Sequence, residues 1–247
     1  MKILSIGNSF SQDAQRYLYL LARNAGISLR AVNLFIGGCP LSRHYRNMLT
    51  GEDAYNLEVN GEYSGFRVSL DRALLTEDWD VVTIQQASNH STDPTTYAPY
   101  LPSLAEHIRR CAPRAKLLFH KTWAYEAGSD RLCNMMGYIT PDCMLAAITN
   151  AVESEAAPLC DGIIPAGDAM LAAANAGIRI HRDTFHASLG AGRLLLAELW
   201  LSLLSGKDLS DVPPPTLDGT DDPADVEKVI RIARGVAAAC PLGFTLS

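Results

Sequence analysis

Short apolar runs alternate with helix-spaced apolar positions along this chain. Lys2–Ile6 is a brief apolar run and reads as a strand. Gln12–Ala25 carries Ala14, Tyr17, Leu18 and Leu21 on one helical face, and Gly26 suits the position just past a helix end. Leu29–Phe35 reads as a second strand, followed by Gly37-Gly38, a loop that needs backbone freedom. Residues 42–68 are less regular. Within them Asn60-Gly61, between Leu57/Val59 and Tyr63, predicts a small hairpin near 56–64 with a type I′ turn, an excursion from the main sheet. Ser69 can cap a short helix over Ser69–Leu75.

The pattern then repeats. Asp80–Gln85, Lys116–Thr122 and Gly162–Pro165 read as strands, and Leu101–Cys111 as a helix. Thr140-Pro141-Asp142 starts a helix expected to reach about Glu155, with a cap followed by proline. Asp168–Ala176 and the strongly apolar Leu189–Leu204 are further helices, closed by Gly177 and Gly206. A proline-rich loop over 211–222 precedes a last helix from Asp222-Pro223 to about Ala239.

Five strands separated by helices predict an α/β fold with a parallel sheet covered on both faces. No repeat, linker or low-complexity tract divides residues 1–247, so one domain is expected. In such sheets the site lies beyond the carboxyl ends of the strands.

Composition narrows the function classes. The chain has 247 residues, 48% hydrophobic and 19% charged, and a formal charge of −6 without a long basic run. That argues against nucleic-acid or anionic-membrane partners, which need Lys/Arg clusters. No apolar run approaches the roughly 18 residues of a membrane span. The run after Lys2 is too short for a signal segment, so a cytoplasmic location is expected. The six cysteines, at 39, 111, 133, 143, 160 and 240, form no CxxC pair and read as reduced thiols. A Gly-rich phosphate loop is missing, and no cofactor is expected.

Candidate chemistry sits at the ends of the expected strands. Ser9, in Gly7-Asn8-Ser9, has its hydroxyl at a helix start, where backbone amides favour developing negative charge. The same residues permit a plainer reading, since Ser9-x-x-Gln12 is a capping box. A G-x-S-x-G elbow is excluded by Ser11. In Asp183-Thr184-Phe185-His186, a turn would let the carboxylate hold the imidazole from behind; otherwise Asp183 caps a turn and His186 lies on the surface. Gly37-Gly38 can bring an amide to the pocket or simply form a tight turn, and Ala87-Ser88-Asn89-His90 offers a side-chain amide or is a polar loop. Trp123 and Tyr125 can stack on a substrate or pack in the core. His44, with Arg43, can bind an acidic or hydroxylated substrate or be solvated. A metal set of His90, His120 or His181 with Asp183 has no HxH or HExxH spacing behind it, so no metal is expected.

Taken in order, these elements resemble the SGNH hydrolase superfamily, the GDSL-like esterases and acetylhydrolases. Gly7-Asn8-Ser9 is similar to its first block, Gly38 (or Gly37) to its second-block glycine, and Asp183 to His186 to its last block. Ser11, Asp13, Gly37-Gly38-Cys39 and His44 resemble one bacterial branch of it. The resemblance implies a three-layer α/β/α sandwich with a five-stranded parallel, flavodoxin-like sheet in the order 2-1-3-4-5. It implies Ser9 as nucleophile, His186 as base and Asp183 as its orienter. The oxyanion would be held by the Ser9 and Gly38 amides with a side-chain amide. The third block departs from Gly-x-Asn-Asp: Asn89 keeps the amide, while Gln85-Gln86 is similar to a glutamine-containing version, so Asn89 and Gln86 both stand as candidates.

The expected function is a metal-free serine esterase acting on a small or carbohydrate-linked ester, an acetyl ester foremost. A lipase or thioesterase of the same superfamily, a metal-dependent hydrolase using Asp183, His186 and another histidine, and a non-catalytic ligand-binding protein on the same fold are the alternatives.

Overall fold

Residues 3–6 are buried whichever side of the strand they face, which marks this first strand as central rather than edge. The computed structural model describes residues 1–244 and 246. Its strands are β1 (Lys2–Gly7), β2 (Arg30–Phe35), β3 (Tyr55–Val59), β4 (Glu62–Val68), β5 (Val81–Ile84), β6 (Lys116–His120) and β7 (Gly162–Ile164). Its helices are α1 (Ser9–Gln15), α2 (Leu18–Asn24), α3 (Leu41–Thr50), α4 (Leu70–Thr76), α5 (Tyr100–Cys111), α6 (Pro141–Ala151), α7 (Ala166–Asn175), α8 (Ala191–Ser205) and α9 (Pro223–Ala239).

One sheet runs β4-β3-β2-β1-β5-β6-β7. The five strands β2, β1, β5, β6 and β7 are parallel, in the expected order, with Leu4 opposite Val32 on one side and Val82 on the other. The expected total of five strands is corrected to seven. The hairpin is no excursion: β3 pairs antiparallel with β2 from Val32↔Val59 to Phe35↔Asn56. This pairing covers an edge of β2 that would otherwise expose a row of unpaired amides and carbonyls. The turn is built for it. Asn60 and Gly61 have φ of 54° and 82°, as a type I′ turn requires. The Asn60 side chain also accepts from Ala31 N at 3.0 Å. A Cβ on Gly61 would lie 2.6 Å from the Arg16 carbonyl, so glycine is needed for space as well.

Helices cover the sheet in two groups. One comprises α3, α4 and α5, and the other α1, α2, α7, α8 and α9. The chain steps from β1 to β2 in one direction and from β2 to β5 and β6 in the other, so right-handed crossovers put α1 and α2 on one face and α3, α4 and α5 on the other. Helix α8 is buried nearly all round, including Glu198, whose carboxylate accepts from Arg234 Nε of α9 at 3.1 Å. Caps match the sequence at Ser69, Thr140 and Asp222. The single helix expected over Gln12–Ala25 is two, α1 and α2, broken at Arg16-Tyr17, where the Tyr17 hydroxyl turns away to donate to Leu189 O at 2.7 Å. Among the described residues no helix is long and apolar enough to cross a membrane.

His44, His120 and His181 are among the buried residues of this framework. Burial pushes His44 and His120 down to about 3, and His181 to about 4 despite its bond to the Ala124 backbone. The unfolded chain takes up these protons near 6.5. Between about 6.5 and 4 the unfolded state therefore binds more protons, and stability falls as pH falls, by up to about 1.4 kcal/mol per pH unit for each ring. His120→Leu removes one such ring. Between pH 7 and pH 5, urea unfolding of this variant should show a total drop about 2 kcal/mol smaller than that of wild type. An equal drop would mean that His120 is not held neutral in the native state.

Candidate active site

At the end of β1 the chain must turn at once into α1, and Gly7 makes this possible. A Cβ there would lie 2.2 Å from the Ser11 hydroxyl. Asn8 follows as the cap of α1: its side-chain oxygen accepts from Phe10 N at 3.0 Å and from Gln85 Nε2 at 2.7 Å. Its Nδ2 donates to Cys39 O at 3.2 Å. The capping-box reading of Ser9 and Gln12 is thereby overturned. Asn8 is the cap, Ser9 is the first helical residue, and the Gln12 amide goes to Glu58.

The Ser9 hydroxyl is free for another partner, and His186 Nε2 lies 2.8 Å from it. On the far side of the ring, His186 Nδ1 is 2.7 Å from Asp183 Oδ2, while the His186 amide donates to Asp183 Oδ1 at 2.9 Å. Burial pushes the Asp183 carboxyl up, but the bonds from the His186 ring and amide and the charge of Arg182 outweigh it, and the net shift is downward. The turn carrying these groups has Thr184 at φ +72°, a left-handed conformation costly for a β-branched residue. Two bonds hold it there: Glu126 N donates to Thr184 O at 2.8 Å and Trp123 Nε1 to Phe185 O at 2.7 Å.

Gly38 lies in the turn closed by Cys39 N donating to Ile36 O, with φ +59° and open space beside its Cα. As the first helical residue, Ser9 has an amide with no intrahelical acceptor.

Other expected site residues fall elsewhere. Gln86 is a strut. Its oxygen accepts from Leu41 N and Ala87 N, and its nitrogen donates to Thr96 O and Oγ1, all at 2.9–3.0 Å. No donor remains for an oxyanion, and Gln86 is withdrawn from that role. Asn89 is exposed in the Ala87–His90 turn, with no hydrogen bond to Ser9 or His186. Trp123 is fully buried and stacks on Phe10 with centroids 3.8 Å apart, so it supports the site from beneath instead of facing a substrate. Tyr125 is likewise buried, with its hydroxyl 2.9 Å from Ser88 Oγ. His44 is neither a surface residue nor a ligand contact: it is fully buried against Tyr55, whose hydroxyl is 3.0 Å from its Nδ1. The set of Asp183 with His90, His120 or His181 is not assembled; among the described residues the group spaced for a metal is Asp71, His107 and Cys111, on α4 and α5.

The sequence reading named Asn8, Gln85 and Asp13 only as motif residues and passed over Arg182; the structure makes Asn8 the cap, Gln85 its partner and Asp13 the partner of Arg182. An Asn directly before a helix start is a capping signal in its own right, and Asp13 stands one helical turn after Ser9. A cavity of about 550 Å³ is walled by residues 124–127, 140–142 and 177–181 and by α7, and Ser9, Asp183 and His186 are not among its lining residues.

The family model for a domain of unknown function, DUF4886, matches residues 2–221. No curated protein matches the sequence. A DUF4886 family protein from Bacteroides uniformis ATCC 8492 is similar in structure, with 32% identity, a TM-score of 0.87 and coverage of 96% of this chain and 95% of that one. A proposed SGNH hydrolase from Slackia heliotrinireducens is 27% identical, with a TM-score of 0.57 and coverage of 80% and 95%. A GDSL-like lipase structure from Parabacteroides merdae ATCC 43184 shares the fold at 16% identity, with a TM-score of 0.52 and coverage of 81% and 94%. The architecture is that of the SGNH-like hydrolases.

Gln86→Ala tests the strut. Removing four hydrogen bonds that join the chain after β5 to α3 and Thr96 should lower unfolding stability by about 1–3 kcal/mol in urea. An unchanged midpoint would return Gln86 to the list of free amides.

The chain belongs to the DUF4886 family.

Proposed function

We propose that this DUF4886 protein is a serine esterase that hydrolyses small or carbohydrate-linked esters, acetyl esters foremost. The observation that carries the reading is the continuous chain Ser9 Oγ–His186 Nε2, His186 Nδ1–Asp183 Oδ2, at 2.8 and 2.7 Å. Each atom in it has one role. Nε2 takes the Ser9 proton as Oγ attacks the ester carbonyl, and Asp183 fixes the ring so that Nδ1 keeps its own proton. The tetrahedral oxyanion is met by the amides of Ser9 and Gly38, with Asn89 the remaining side-chain candidate. His186 then gives its proton to the leaving alcohol, and an acyl-Ser9 remains. Water, deprotonated by the same Nε2, releases the acid.

The half-buried Ser9 and the exposed Asp183 favour a shallow site for a short acyl group.

Fluorophosphonate labelling read by peptide mass should modify Ser9, and p-nitrophenyl acetate should be cleaved faster than the octanoate. Ser9→Ala should lower kcat by roughly 10⁴–10⁶ while the fold survives. Retention of more than about a tenth of the activity would remove Ser9 as nucleophile.

The pH profile follows from Asp183. Protonating the His186 imidazole removes the base, so activity falls on acidification. Because the Asp183 carboxyl is held below the usual carboxylate range, it stays ionised through that fall. The acid limb of kcat/KM should therefore have the slope of a single proton. A two-proton slope would show that Asp183 titrates with the base.

A further inference from the structure

Four hydrogen bonds converge on a carboxylate outside the Ser9–His186–Asp183 chain. Asp13 lies on α1, one helical turn beyond Ser9, and is fully buried. Arg182 Nη1 donates to its two oxygens at 2.9 and 3.0 Å, Arg193 Nε to Oδ1 at 2.9 Å, and Ala187 N to Oδ2 at 3.2 Å. The same Arg182 nitrogen also donates to the Ala187 carbonyl.

The placement of these partners gives the cluster its meaning. Arg182 directly precedes Asp183, and Ala187 directly follows His186. Both ends of the four-residue turn are therefore fastened to one carboxylate, and that carboxylate sits on the helix that begins with Ser9. The turn itself has little burial to fix it: Asp183 is exposed, and Thr184, Phe185 and His186 are only half-buried. Stability alone is a poor reason to bury such a cluster. A buried ion pair seldom outperforms well-packed apolar residues of the same volume. Apolar residues would not, however, give direction at both ends of a turn.

We infer that Asp13, acting through Arg182 and Ala187, is a positioning residue that sets His186 Nε2 on the Ser9 hydroxyl. The inference rests on the esterase reading for its kinetic consequence. Its geometric content, that loss of the Asp13 clamp loosens the His186–Asp183 hydrogen bond, does not depend on turnover.

Asp13→Asn tests it, since the amide keeps the shape but loses the charge and one acceptor. With the variant folded by circular dichroism, kcat for p-nitrophenyl acetate should fall about 10- to 100-fold with KM nearly unchanged, the signature of misplaced reacting groups. Fluorophosphonate labelling of Ser9 should slow by a similar factor. The low-field proton resonance of His186 Nδ1, seen in ¹⁵N-histidine-labelled protein, should broaden or disappear. A variant that melts earlier but keeps wild-type kcat and an intact Nδ1 proton signal would overturn the inference and leave Asp13 a structural residue.

If Asp13→Asn does not fold, Arg182→Ala takes its place. Its kcat should fall similarly and recover several-fold in millimolar guanidinium, which refills the vacated contact. Wild-type kcat without guanidinium, or a loss that guanidinium does not relieve, would overturn the inference. A wild-type protein that neither turns over nor labels would instead defeat the esterase reading, and the Nδ1 proton comparison would still decide the clamp.

Discussion

Asn8 takes the hydrogen bond that a helix start demands, and the rest of the site depends on that. A helix opens with amides that have no internal acceptor, and a Ser, Thr, Asn or Asp side chain usually supplies one. Here Asn8 accepts from Phe10 N, which leaves the next hydroxyl, Ser9, uncommitted. The same side chain receives Gln85 from the end of β5 and donates to Cys39 beyond β2. Three neighbouring strand ends are thus joined at one amide. The Gly38 turn and the Ser9 helix keep their mutual position through it. Gly7 is the complement, because its missing side chain lets Ser11 Oγ come within 2.8 Å of both Asn8 O and Asn33 Oδ1.

Helix α1 faces the sheet with polar residues, and this explains what the sequence does and does not disclose. Ser11 and Gln15 are buried on it toward the sheet, and Asp13 is buried on the other side against Arg182 and Arg193. Ser11 meets Asn33, Asn33 donates to Glu58, and Gln15 reaches Ser5. The apolar positions Phe10 and Ala14 on α1 share their spacing with Tyr17 at the break and with Leu18 and Leu21 on α2, so a helix read from that spacing runs through Arg16-Tyr17. The parallel strands were legible because burial on both faces leaves a nearly continuous apolar run, as in Ile3–Ile6 and Val81–Ile84, each interrupted by one hydroxyl residue, Ser5 and Thr83, which bond to each other. The Asn60-Gly61 turn was legible because its chemistry is local. Its docking on β2 was not, since pairing with a distant strand leaves no mark within the hairpin itself. The motif residues Ser9, Asp183 and His186 stand together in the structure. The third block was harder, because Gln86 and Asn89 are the same kind of donor in sequence and only their surroundings separate a strut from an exposed amide.

Beyond the carboxylate of Asp13, the charges continue as a chain. Arg193 bridges Asp13 to Asp218, and Arg16 joins Asp218 to Glu62 on the hairpin. Asp218 N donates to the Tyr17 hydroxyl, which itself donates to Leu189 O. The 211–222 segment, the β3–β4 hairpin and the break between α1 and α2 are in this way tied to the His186 turn. Tyr17 and Tyr55 anchor the break and the hairpin in the core, and these directional contacts add the alignment that packing alone does not give.

The contrast between the two aspartates at this site is then a physical one. Asp183 is exposed, so water screens its field, and an exposed ion pair adds little energy to the imidazole it faces. What Asp183 contributes is orientation, by bonding the ring and the amide of the same histidine. Orientation is useful only if the turn does not move relative to Ser9. The packing of the turn is the Phe185 ring against Tyr125 and Phe10, an apolar contact without direction, and its bonds from Glu126 N and Trp123 Nε1 come from the segment after β6 and not from the Ser9 helix. The rigid element has to lie beneath it, where water is excluded and a charge-assisted bond is strong. Asp13 occupies that position on the helix that carries the nucleophile, so movement of the base away from Ser9 requires breaking bonds to a buried charge.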